Sequence, residues 1–142
     1  MKPPFCDVSD AISGCQPAGC TKGFKGKGTP RQRMRKVEAQ LALVHARMRQ
    51  LKVESRTMRT RHFALDLYAK RATRTMTLRW RMVRGEHALW ERDIAPLLPR
   101  FPVELQAWYR KLHHQAQILN VEERCLRYVR HALKRLTERL RE

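Results

Sequence analysis

The sequence predicts an α+β, mostly α fold: two long antiparallel helices with a β-hairpin inserted between them and a short additional helix. Three observations carry this expectation. Apolar residues recur at alternating steps of three and four from Met34 to Met58, the period of a helix with one buried stripe. Between His62 and Val83 the period becomes two, which belongs to strands. A second stripe at helical steps then runs from Leu105 to Leu140.

Residues 1–28 precede these patterns. Prolines, glycines and serines with few large apolar groups leave nothing to bury, so a flexible arm is expected there. It ends in "KGFKGKG", where Lys22, Lys25 and Lys27 alternate with glycines around Phe24. That composition suits a phosphate-binding arm with one stacking ring, and equally a solvated linker. Cys6, Cys15 and Cys20 are candidate zinc ligands, but Phe24 stands where a histidine would complete a Cys3His set. C-x-x-C and H-x3-5-H spacings are also missing. The expectation is reduced thiols, no metal and no cofactor.

A single basic domain is expected over 29–142. Thr29-Pro30 marks a helix start, and Met34, Val37, Leu41, Val44, Met48, Leu51, Ser55 and Met58 form a heptad seam, so a coiled-coil helix is placed at about 30–59. "HFALDLYA" and "RTMTLRWRMV" each alternate, and read as a hairpin at about 62–83 with its turn near Lys70–Thr73. Met76, Leu78, Trp80 and Met82 fall on one parity and should face the helices, Trp80 as the largest anchor. "EHALWERDIAPLL" reads as a short helix at about 86–95 exposing Glu86, Glu91 and Asp93, before a connection fenced by Pro99 and Pro102. Leu105, Trp108, Leu112, Ala116, Leu119, Leu126, Val129, Leu133, Leu136 and Leu140 stripe a last helix at about 102–141. Val37 to Leu51 should pack on that helix within one chain, making a monomer, with a homodimer as the alternative arrangement of the same heptads.

Charge separates function classes. Of 31 basic residues 22 are arginine, against 13 acidic ones, a net +18. Residues 22–84 carry 19 basic and 3 acidic side chains, a net +16, whereas 85–142 sum to +3. Such a surface points to a polyanion, DNA in preference to RNA, with an acidic protein as the alternative partner. The cation candidates are Lys25 and Lys27 in the arm, Arg31, Arg33, Arg35 and Lys36 at the start of the first helix, and the strand ladder Thr75, Thr77, Arg79 and Arg81. On that ladder arginine supplies bidentate donors and threonine a neutral one, as phosphates require.

An enzyme is not expected: no Ser–His–Asp set, P-loop, G-x-G-x-x-G or paired carboxylates can be assembled. His113 and His114 diverge by roughly 100° on a helix and cannot easily share a metal, and Glu122-Glu123 read as ordinary surface pairing. Tyr68, Trp90, Trp108 and Tyr109 are more readily core than base-stacking rings, and Cys125 reads as a small buried or half-buried residue. No apolar run is long enough to cross a bilayer and the N-terminus lacks a secretory signal, so a cytoplasmic protein without membrane contact is expected, nucleoid-associated if it binds DNA.

The succession "FKGKG" (24–28), "LRWR" (78–81) and "ALWE" (88–91), followed by a long helix containing Leu, Gln and Arg, resembles small basic proteins of unknown function encoded on bacterial integrating conjugative elements. Some of these carry the name integrase regulator. The resemblance covers 24–142 and excludes the cysteine-containing arm. This chain departs from it in having many more arginines between residues 31 and 84. What the resemblance implies is a mobile-element accessory protein that binds DNA or a recombination complex, with no catalytic residues to carry over.

Overall fold

The computed structural model describes residues 29–142. The arm, with the candidate ligands Cys6, Cys15 and Cys20 and the candidate cations Lys25 and Lys27, lies outside the described residues. Helix α1 spans Thr29–Glu54, strands β1 and β2 span Phe63–Ala69 and Met76–Met82, a two-residue strand β3 spans His87–Ala88, and helix α2 spans Val103–Arg139. The architecture is mostly helical, with a small antiparallel sheet of order β1-β2-β3 between the two long helices. Val37, Leu41, Val44, Met48 and Leu51 are buried on α1 and pack on α2 within the chain.

Three boundaries differ from expectation and the hairpin turn takes its type, each for a local reason. First, α1 stops at Glu54 rather than about 59, because Ser55 turns its hydroxyl to the Lys52 carbonyl and leaves the seam. Second, the hairpin turn lacks glycine and asparagine, and Arg74 supplies the left-handed position at φ 55°. Lys70 N–H bonds to the Thr75 carbonyl to close it. Third, residues 86–88 are not helical. Gly85, at φ 94°, reverses the chain, Met82 N–H donates to the Glu86 carbonyl, and Trp80 and Arg81 pair with Ala88 and His87. Fourth, the short helical segment is therefore displaced to Trp90–Arg100, a π turn followed by a 3-10 turn. Pro96 and Pro99 have no N–H to donate and break the α pattern. Asp93 is half-buried there rather than exposed, its carboxylate accepting from Leu89 N–H at 2.7 Å.

The apolar stripe of α2 also shifts. Tyr109 is fully buried and Trp108 only half-buried. The Tyr109 hydroxyl accepts from the N–H of His62 at 2.8 Å and of Phe63 at 3.3 Å, and its ring meets Phe63, Trp80 and Phe101. Among the described residues Val129, Leu136 and Leu140 are exposed, α2 running on past the Arg130–Glu38 pair that joins it to α1. Trp80 is buried between Tyr109 and Trp90, and its Nε1–H donates to Nδ1 of His113 at 3.2 Å.

Side chains from the loop and α2 close both edges of the sheet. Along β1, Leu65 N–H donates to Ser55 Oγ at 2.9 Å and the Leu65 carbonyl accepts from Arg56 at 2.6 Å. Along β2, where β3 is too short to continue, Asn120 Oδ1 accepts from Leu78 N–H at 2.8 Å and its Nδ2 donates back to the Leu78 carbonyl at 3.0 Å. One turn on, Glu123 Oε1 accepts from Met76 N–H at 3.3 Å. Arg127 then donates to the Arg74 carbonyl at 3.1 Å. Glu123 was expected on the surface and is instead wholly buried, held by Arg127 at 2.7 Å and by His45 of α1 at 3.3 Å.

Two outcomes follow from this packing. Glu123→Ala leaves Arg127, His45 and the Met76 N–H without their shared acceptor and should cost about 3 kcal/mol, the low end for breaking a buried pair since Arg127 keeps some solvent. Glu123→Gln keeps an acceptor and should cost clearly less; urea unfolding of the two variants measures the difference. Burial lowers the pKa of His113 from 6.5; the charge of Glu91 opposes it, and repulsion from His114 adds a smaller push downward. The unfolded chain therefore binds the proton more readily. Stability from this group is complete above 6.5 and is lost as pH falls through the lowered folded value. His113→Gln should flatten that limb of a melting-temperature profile.

Candidate nucleic-acid interface

The alternation of β2 sends Leu78 and Trp80 inward and leaves Arg79 and Arg81 exposed, with Thr75 and Thr77 half-buried beside them. Met76 and Met82 are half-buried on the inner parity. Across the ladder, Tyr68 faces Thr77, Asp66 faces Arg79 and Ala64 faces Arg81. The Arg79 guanidinium lies 4.0 Å over the Tyr68 ring, which fixes its plane at little entropic cost. Asp66 sits among three cations: Lys52 at 2.8 Å, Arg81 at 3.6 Å and Arg56 at 3.9 Å. Its hydrogen bond to Lys52 leads the interactions that hold its carboxyl below the usual range, against partial burial. A depression of about 270 Å³ between Asp66, Tyr68, Arg79, Arg81, Gly85 and His87 opens on this face. Three cations around one carboxylate, with Arg79 beside them on the same face, leave it net positive.

The four α1 candidates divide by helical angle. At about 100° per residue, Arg31 falls ~20° and Arg35 ~60° from Glu38, whereas Arg33 and Lys36 lie ~140° and ~160° from it. All four are exposed. The helix thus sets two of them on the Glu38 side and two on the other.

Between the first turns of α1, the hairpin tip and the distal half of α2 lies a groove of about 780 Å³. Thr73 and Thr75 form its hairpin wall, Met34 and Glu38 its α1 wall, and Arg124, Arg127, Tyr128, Arg130, His131 and Lys134 its α2 wall. Thr75 also begins the outer ladder of β2, so the groove and the sheet face run into one another. Arg127 is occupied by Glu123 and the Arg74 carbonyl, and Arg130 by Glu38 at 3.3 Å. Arg124 and Lys134 have no carboxylate partner among the described residues.

Sequence reasoning missed the α2 half of this surface. A signal was present: residues 124–135 hold five basic side chains and no acidic one, hidden within the modest +3 of the C-terminal region. Cys125, expected buried or half-buried, is exposed. His113 turns inward to stack on Trp90 at 3.9 Å while His114 is exposed. Trp90 and Trp108 are half-buried and Tyr109 fully so, which leaves Tyr68 as the exposed ring among the four weighed for stacking. Among the described residues no three His, Cys, Asp or Glu side chains converge as a metal site, and no helix is long and apolar enough to cross a membrane. No protein-family model, curated protein or solved structure matches the chain.

Asp66 restrains Arg81 and Lys52 in competition with any incoming anion. Asp66→Asn should therefore tighten binding of a polyanion and steepen its salt dependence, while costing at most about 1 kcal/mol of stability, as for other exposed pairs. Titration of a labelled duplex at several salt concentrations, beside a denaturant melt, checks both halves.

Proposed function

We propose that the chain is a non-enzymatic nucleic-acid-binding accessory protein that holds DNA by its phosphate backbone. The observation that carries this reading is the cationic lining of the groove and of the sheet face. Arg124 and Lys134 line the groove, Arg79 and Arg81 the depression on the sheet, and Arg31 and Arg35 are exposed on the Glu38 side of α1. Glu38 and Asp66 lie within these linings, and each is already engaged by a cation. Phosphates are the ligand such spacing of unneutralised guanidinium and ammonium groups suits, and they carry no base information, so the reading is of affinity and positioning rather than sequence readout. The likeness of "LRWR" and "ALWE" to proteins of integrating conjugative elements supports a role in mobile-element maintenance, transfer or recombination.

A second reading, a module that binds or inhibits an acidic protein, is favoured by the opposite side of the helix pair. Leu43 is 65% exposed and Ile118 45% exposed there, beside Arg47 and two shallow grooves of about 410 and 340 Å³. RNA or ribosome association shares the phosphate chemistry of the first reading.

Salt dependence tests the proposal. If about six phosphates are neutralised, log K should fall against log salt with a slope near −5. Arg79→Ala/Arg81→Ala and Arg124→Ala/Lys134→Ala should each flatten that slope by roughly 2, and Lys36→Ala should leave it unchanged. Equal effects from Lys36→Ala would move the contact to the far side of α1. Absence of binding to any DNA or RNA at low salt would transfer the proposal to the acidic protein.

A further inference from the structure

We propose that the groove at the hairpin tip is a single-strand site, in which an unpaired base stacks on Tyr128 while the flanking phosphates meet Arg124 and Lys134. This rests on the nucleic-acid reading above and deepens it, from contact with a backbone to the form of nucleic acid that the groove takes.

Tyr128 is the first observation. Its ring is 69% exposed, so the core makes little use of it, yet it lines a concavity rather than standing on a convex surface. An exposed tyrosine on a helix is ordinary, and alone it would mean nothing. Here it lies among cations, which is the pairing that single-strand sites use: a π face for any base beside charges for its phosphates.

The volume is the second. About 780 Å³ falls within the ~300–1,000 Å³ typical of sites that enclose a small ligand, enough for a nucleotide unit to enter. A duplex keeps its bases stacked inside and offers phosphates along a convex rim. Arg79 and Arg81 on the open sheet face suit that shape without any need of a cavity or a ring.

The third is the division of labour among the basic groups. Arg127 and Arg130 are held by Glu123, the Arg74 carbonyl and Glu38. They fix the position of the walls. Arg124 and Lys134 remain without a carboxylate partner among the described residues, one on each side of Tyr128 along α2. Steps of four, three and three carry the helix from Arg124 through Tyr128 and His131 to Lys134. They spread over about 120° of the helix surface and ~15 Å along it at 100° and 1.5 Å per residue, and all four line the groove. Thr73 and Thr75, joined by a 2.7 Å hydrogen bond, supply neutral hydroxyls on the facing wall.

The experiment uses the full chain and a short single-stranded oligodeoxynucleotide containing one 2-aminopurine, whose fluorescence falls when it stacks on an aromatic ring. A blunt duplex of the same sequence is titrated in parallel at low salt. The expected result is quenching of the single strand by the wild type. Tyr128→Ala should abolish the quenching and weaken single-strand binding about tenfold, with duplex binding unchanged, and Tyr128→Trp should restore both. Because Tyr128 is exposed, circular dichroism of Tyr128→Ala should match the wild type. The site is overturned if Tyr128→Ala binds and quenches the single strand as the wild type does, or if it weakens both forms alike. Duplex binding with no single-strand quenching by the wild type removes this site and leaves the backbone reading intact. Binding to neither form removes both.

Discussion

The fold depends on how the edges of a very small sheet are closed. A hairpin with a two-residue third strand leaves rows of peptide N–H and C=O groups on both sides. Unpaired and shielded from water, each would cost as much as a lost hydrogen bond, and left open they would template pairing with another chain. Side chains remove both problems. Ser55, Arg56 and Tyr109 cover the outer edge of β1. Asn120, Glu123 and Arg127 cover β2 beyond the point where β3 ends. Helix α2 acts toward β2 as a fourth strand would, with side chains in place of a backbone.

That arrangement dictates where the charge goes. Because α2 donors and acceptors at steps of three and four meet alternate residues of β2, the hairpin must lie along α2 with its tip toward the distal half of the helix. Antiparallel packing of α1 brings its first turns to the same end, as the Glu38–Arg130 and His45–Glu123 pairs record. Three basic segments far apart in sequence therefore converge. Toward the other end Lys52, Arg56 and Arg81 gather on Asp66, beside residues 85–113 with their four basic and four acidic side chains.

Periodicity made much of this legible. The seam of α1, both long strands, the inward parity of Leu78 and Trp80 and the extent of α2 follow from steps of three, four and two. What periodicity could not reach had short or polar causes. Two residues of β3 are too few to show a period, and the prolines of 96 and 99 end an α-helix on paper without showing that a 3-10 turn continues through them. The stripe of α2 skips from Leu119 to Leu126, and the gap falls on Glu123, where helical spacing calls for a buried residue. That gap was the trace of the buried carboxylate, but a glutamate reads as surface until a partner for its charge is known. Tyr109 was passed over for Trp108 because one position of helical phase cannot be settled by apolarity alone. Summing charge over 85–142 likewise concealed a basic stripe confined to its second half.

Repulsion within the cationic end sets the last constraint. Three carboxylates join different elements: Asp66 links β1 to α1 and β2, Glu38 links α1 to α2, and Glu123 of α2 meets His45 of α1. These carboxylates lie between the cations that would otherwise drive the elements apart, so they act on cohesion more than on net charge. The remaining guanidinium and ammonium groups rely on counterions. A polyanion lying across the same end would replace those counterions with charges fixed in one chain. Anything that binds the folded form alone adds to its stability by mass action, so occupation of this surface and cohesion of the helix–hairpin end are thermodynamically one process.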